Sequence, residues 1–136
     1  MRIEGPALLV RIYVGEADHH GGKPLYQAIV ELLRERGLAG ATVLRGIEGY
    51  GANARLHTTR LLRLSEDLPV LIEVVDQEDR IRAILPELDA LVGDGLITLE
   101  KVEVLAYRGR GPGEVVTSPS CTKRESFLKR HLSFRR

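Results

Sequence analysis

An α+β sandwich with the element order β-α-β-β-α-β is what these 136 residues predict. Three observations carry that reading. Four segments, 6–15, 41–50, 68–76 and 96–107, are rich in β-branched and aliphatic residues, as strands are. Two segments between them repeat their apolar residues at helical spacing. The length suffices for one hydrophobic core and falls short of two.

Each element follows from its residues. "PALLVRIYVG" (6–15) reads as a buried strand ending at a glycine, and "EADHHGGK" after it as a polar loop. Pro24 suits a first helical turn, and Leu25, Ala28, Ile29, Leu32 and Leu33 form one apolar face behind it. Gly37 suits the left-handed position that ends such a helix. "ATVLRGIEGY" (41–50) is the second strand, whose glycines predict a bulge or bend at its end. "LPVLIEVVD" (68–76) is a central strand, and Asp76 is placed to cap the next helix. That helix buries Ile81, Ile84, Leu85, Leu88, Leu91 and Val92, and Pro86 within it predicts a kink or a break. "GDG" (93–95) is a tight turn, and "LITLEKVEVLAY" (96–107) the last strand. This order matches the ferredoxin-like split βαβ arrangement. Residues 1–108 form the domain and 109–136 a linker and tail.

Charge is uneven along the chain. Residues 110–136 carry seven Lys/Arg against two acids, whereas the rest nets −4. A mildly acidic body with a basic tail is not the footprint of a nucleic-acid-binding domain. Gly109, Gly111, Pro112, Gly113 and Pro119 make a linker before "CTKRESFLKRHLSFRR". That last stretch is expected to be a solvated terminus. The alternative is a short basic helix, with Phe127, Leu128, Leu132 and Phe134 partly on one side, docking on the body or an anionic membrane. Without a membrane-length apolar run or a signal-peptide pattern, a cytoplasmic location is the expectation. Cys121 is the only cysteine, which excludes an internal disulfide and agrees with a reducing compartment.

The stretch "VLRGIEGYGANARLHTTRLLRLSEDLP" (43–69) is far longer than a hairpin connection needs, and excess loop length points to function. Glycine-rich turns can aim backbone N–H groups at an anion. Gly93 and Gly95 allow such an approach, with Gly46, Gly49 and Gly51 opposite them. Arg45, Arg55, Arg60 and Arg108 can make charge-assisted contacts to phosphate. Asp94 repels phosphate, so its expected role is to shape the turn, with bridging by a metal as the alternative. Tyr50 can stack on a base or pack at a strand end. Taken alone, "GDG" is a turn and the arginines are solvated.

Two other groupings contain chemistry-bearing residue types. Glu16, Asp18, His19 and His20 are all metal-ligand types, but no partner motif stands at ligand spacing. His57 with Ser65, Glu66 and Asp67 offers nucleophile and base types without the spacing of a triad, so no enzyme is expected.

The stretches "YVGEAD", "GGKPLYQAIVELLRERGLAGATVLRGIEGYG", "LHTTRLLRLSEDLPVLIEVVD" and "GLITLEKVEVLAY" resemble the PII-like group known as domain of unknown function 190, over residues 7–108. Through it the chain is similar to PII nitrogen-regulatory signalling proteins. "GYG" (49–51) sits where PII proteins begin their sensing loop, "GDG" where they hold phosphate, and Arg108-Gly109 resembles the basic end of their last strand. The resemblance implies that these segments converge. It also implies a homotrimer that binds a small effector between subunits, typically an adenine nucleotide; ATP, ADP, AMP and cyclic dinucleotides are the candidates. The 49–60 loop would then control a protein partner, for which a membrane transporter or channel is one candidate. Two departures stand out: Leu96 replaces the lysine that follows "GDG", and the short loop lacks the tyrosine that many PII proteins modify. The competing expectations are a metal-responsive ferredoxin-like trimer using Glu16, Asp18, His19 and His20, and a structural protein-interaction module.

Overall fold

The computed structural model describes residues 2–51 and 67–109, with the backbone of 57 and 58. Strand β1 (Arg2–Gly15) leads into a short hairpin, β2 (His19–His20) and β3 (Lys23–Pro24), and then helix α1 (Leu25–Glu35). Strand β4 (Thr42–Arg45) follows, then the two-residue strands β5 (Glu48–Gly49) and β6 (His57–Thr58). The chain continues with β7 (Pro69–Asp76), α2 (Glu78–Leu91) and β8 (Leu96–Arg108). The four main strands form one antiparallel sheet in the order β4-β7-β1-β8, with α1 and α2 packed on one face. This is the ferredoxin-like arrangement expected from the sequence, decorated by short strands in its connections.

Alternation builds the core. Leu8, Val10, Ile12 and Val14 of β1 and Val70, Ile72 and Val74 of β7 are buried against Leu25, Ile29 and Leu33 of α1 and Ile81, Ile84 and Leu88 of α2. Spacings of two in the strands and three or four in the helices put each set on one face. Each such side chain removed from water stabilises the fold by about 1.5–3 kcal/mol before entropy is counted. The other face of the sheet carries no helix among the described residues. There Leu9, Leu71 and Val75 are half-buried, Tyr13, Leu44 and Leu96 are exposed, and Arg11 bridges Glu73 at 3.0 Å and Glu100 at 3.4 Å. The hydrogen bond to Glu73 holds the Arg11 pKa above its ordinary value.

The end of α1 follows its glycine. Gly37 adopts φ +72°, its N–H donates to the carbonyl of Arg34, and the Leu38 N–H donates to that of Leu33. That pair of bonds is a Schellman cap.

Four expectations need correction. The first strand begins at Arg2 rather than Pro6, because its polar start pairs with β8, Arg2 opposite Arg108 and Ile3 opposite Tyr107. The polar loop after it contains the β2–β3 hairpin, turned by Gly21 and Gly22, both with positive φ as a type I′ turn requires. Pro86 does not divide α2, which is one helix; Pro86 is exposed, so water can serve the carbonyl that loses its donor. Asp76 is not the cap of α2 either. Gln77 occupies that position, and Asp76, fully buried, accepts the N–H of Gln77 at 2.7 Å and of Ala39 at 2.9 Å. Arg80 completes its shell at 3.2 Å and also donates to the Gly37 carbonyl. A buried carboxylate thus stitches the α1–β4 connection to the start of α2.

Candidate functional site

One end of the sheet gathers most of the residues singled out above. β1 and β4 finish there and β7 and β8 begin there: Arg45 pairs with Val70, Gly15 with Pro69 and Tyr13 with Leu96. The long loop leaves from Arg45–Gly46 and returns through Asp67–Leu68. Gly46 bends the chain off the sheet edge. Its N–H donates to the Pro69 carbonyl at 2.6 Å, and a Cβ there would lie 2.6 Å from Pro69 Cγ, so the approach demands glycine. Backbone pairing of Glu48 with Thr58 and of Gly49 with His57 then narrows the loop.

A four-residue turn, Gly15–Asp18, grips both stems. The Glu16 carboxylate pairs with Arg45 at 2.5 Å on the outgoing stem. On the returning stem, the Ala17 N–H donates to Asp67 Oδ1 at 2.6 Å and the Glu16 N–H to the Leu68 carbonyl at 2.8 Å. Asp18 shapes the turn: its Oδ2 accepts the Gly15 N–H at 2.8 Å, and its carbonyl accepts the Leu25 N–H at 2.7 Å. Arg45 is exposed and already faces an oxyanion, the geometry an arriving phosphate would compete for.

The 93–95 turn lies at the same end, on the opposite edge. Gly93 and Asp94 are exposed, and Gly93 has open space around a would-be Cβ. Gly95 does not: a Cβ would sit 2.6 Å from the Tyr13 carbonyl and 2.9 Å from Val92 Cγ1. Gly95 is therefore required for β8 to close on β1, and a valine there is a lesion of the fold before it is a probe of binding. The order β4-β7-β1-β8 separates Arg45 from this turn by three strand spacings, about 14 Å.

The remaining candidates divide. Tyr50 is 74% exposed, so its ring does not pack against this chain's core, and Gly51 is exposed beside it. Arg108 lies at the far end of β8, paired with Arg2, and does not join the others within one chain. Arg55 and Arg60, with Ser65, Glu66, Cys121 and the basic tail, lie outside the described residues. Glu16 and Asp18 are engaged as above, His19 Nδ1 stands 2.5 Å from the Ala17 carbonyl, and among the described residues no three metal-ligand side chains gather. Sequence reasoning missed the gripping role of Glu16 and Asp67. Nothing in the local pattern ties residue 16 to 45 or 17 to 67.

The profile of the DUF190 family, described as an uncharacterized conserved group, matches residues 7–104. A UPF0166 protein of Aquifex aeolicus is 43% identical over 97 residues, covering 71% of this chain and 91% of its own. A UPF0166 protein of Methanocaldococcus jannaschii is 38% identical over 104 residues, covering 76% and 94%. Among solved structures, CPII of Thiomonas intermedia, a nitrogen regulatory PII-like protein bound to ADP, AMP and bicarbonate, superposes with a TM-score of 0.57 at 18% identity. That match covers 73% of this chain and 88% of CPII. The apo form of CPII gives 0.53 at 15% identity, over 79% of this chain and 100% of the other. With most of its length matched, the chain belongs to the DUF190 family, and its fold is the one seen in the PII-like protein CPII.

Proposed function

We propose that this protein is a PII-like regulator that binds an adenine nucleotide at the loop end of its sheet and controls a protein partner through the 49–60 loop. The observation that carries the reading is the shared grip of the Gly15–Asp18 turn on both loop stems, through an ion pair that an anion can exchange. A phosphate that draws Arg45 from Glu16 changes the tether of the loop, so ligand and loop conformation are linked. The fold shared with CPII, described with ADP and AMP bound, supports the choice of effector.

The working unit in this reading is a homotrimer. Its support is the uncovered sheet face, where Leu9, Tyr13, Leu44, Leu71, Val75 and Leu96 would meet the same face of neighbours. Arg108 enters a nucleotide site only as a neighbour's contribution. The role is regulatory and not catalytic.

Calorimetric titration with ATP, ADP, AMP and cyclic dinucleotides tests the proposal. Arg45→Ala should weaken the nucleotide that binds by about 10–100-fold, the worth of one charge-assisted contact. Glu16→Gln removes the competitor and should tighten it. Equal affinity in wild type and Arg45→Ala, or no nucleotide binding at all, overturns the reading.

A further inference from the structure

On the helical side, the seam between α1 and α2 opens into a groove of about 480 Å³. Ala28 and Leu32 face Ala90 and Leu91 across it, and the β2–β3 hairpin closes one end through His20 and Gly21. Its rim carries three carboxylates, Glu31, Glu35 and Glu87, against Lys23. Lys23 pairs with Glu31 at 2.5 Å and Arg36 with Glu87 at 2.6 Å, while Glu35 has no ion-pair partner among the described residues. A second depression of about 210 Å³ shares Glu87 with the first, runs past Leu38 and Ile84, and carries Arg36 and Arg80, which are held by Glu87 and Asp76.

We propose that this seam is the docking site of the chain's own residues 123–136. Three observations select that occupant. The chain leaves β8 beside the seam: the Tyr107 hydroxyl donates to the Ala39 carbonyl, next to Leu38, and Arg108 follows directly. The fourteen residues 109–122 can span up to about 46 Å, more than the roughly 21 Å length of α2. Composition fits as well. On a helix, Phe127 and Phe134, seven apart, would share one face and Leu128 and Leu132, four apart, another, among Lys123, Arg124, Lys129, Arg130, Arg135 and Arg136. Apolar anchors among basic side chains suit an apolar floor whose larger groove has three carboxylates on its rim. The family match ends at residue 104, so the tail is an addition to the shared fold, and its seat is a feature particular to chains that carry it.

The single cysteine makes the test direct. A nitroxide on Cys121 of the full-length protein requires no other substitution. The amide signals of Leu32, Glu35 and Leu91 should lose intensity, while those of Leu9 and Val75 on the opposite sheet face keep theirs. Leu128→Asp with Leu132→Asp should restore the lost signals, and so should high salt in part. No loss at the seam, loss centred on the sheet face, or loss unchanged by the double substitution overturns the proposal. Mixing spin-labelled chains with unlabelled isotope-enriched chains separates the sources. Seam loss in the unlabelled, isotope-enriched chains of the mixture assigns the groove to a second copy's tail and overturns the same-chain seat. Seam signals untouched while the protein sediments with phosphatidylglycerol vesicles would make a membrane the occupant instead.

Discussion

The two ends of the sheet use the same device to opposite effect. At each, a carboxylate accepts a backbone N–H from a distant segment: Asp76 from Ala39, and Asp67 from Ala17. Asp76 is fully buried and has Arg80 beside it, so exchange with water or ions is closed to it. Asp67 and the Glu16–Arg45 pair stand partly in solvent, where an ion pair contributes little and trades partners easily. The difference is burial, and burial separates a permanent stitch from a releasable one. The releasable stitch holds the loop.

The largest test of that contrast is to remove each carboxylate. Asp76→Ala leaves Arg80 and the Ala39 N–H without their partner and should cost about 3–5 kcal/mol in urea denaturation. Asp67→Ala should cost only about 1 kcal/mol, yet speed proteolytic nicking between residues 46 and 67. Equal losses of stability would break the comparison. Next in size are the glycines of the 93–95 turn. Gly95→Val should destabilise by about 1–3 kcal/mol through overpacking on Tyr13 and Val92, whereas Gly93→Ala, with open space, should leave the denaturation midpoint unchanged. Any effect of Gly93→Ala on nucleotide affinity would then report on binding alone.

The smallest effect belongs to acid. The hydrogen bond from Arg36 holds the Glu87 carboxyl below its ordinary range, and those from Lys23 and Gln27 do the same for Glu31. A depressed folded-state pKa contributes stability that is complete above the unfolded value, about 4.3 for glutamate, and is lost as pH falls through the folded value. Stability should thus be flat in this respect above about pH 5 and decline below it. Lys23→Ala with Arg36→Ala should flatten the decline, as followed by denaturation midpoints across pH.

Local pattern accounted for most of the fold. Alternation named the buried faces of β1 and β7, helical spacing named those of α1 and α2, and Gly37 marked the end of α1 by the one conformation it adopts cheaply. The "HHGGKP" hairpin carries a readable signal in its two glycines, the pair a two-residue turn favours. Other features were not legible. Asp76 looks like any residue ahead of a helix until Ala39 is brought to it. Glu16 and Asp67 are ordinary acids until the sheet places 45 and 67 on either side of residues 15–18. Such contacts join segments dozens of residues apart, and no periodicity encodes them.

The pairing of β1 with β8 has a consequence for how the domain is made. β1 lies in the middle of the sheet, yet both of its neighbours come from the second half of the chain. One hydrogen-bonding edge of β1 can therefore be covered only once β8, the last strand of the sheet, is in place. Loop closure over so long a separation makes folding slow and leaves an apolar strand available to wrong partners in the meantime. Arg2 against Arg108 thus joins the opposite extremes of the described domain.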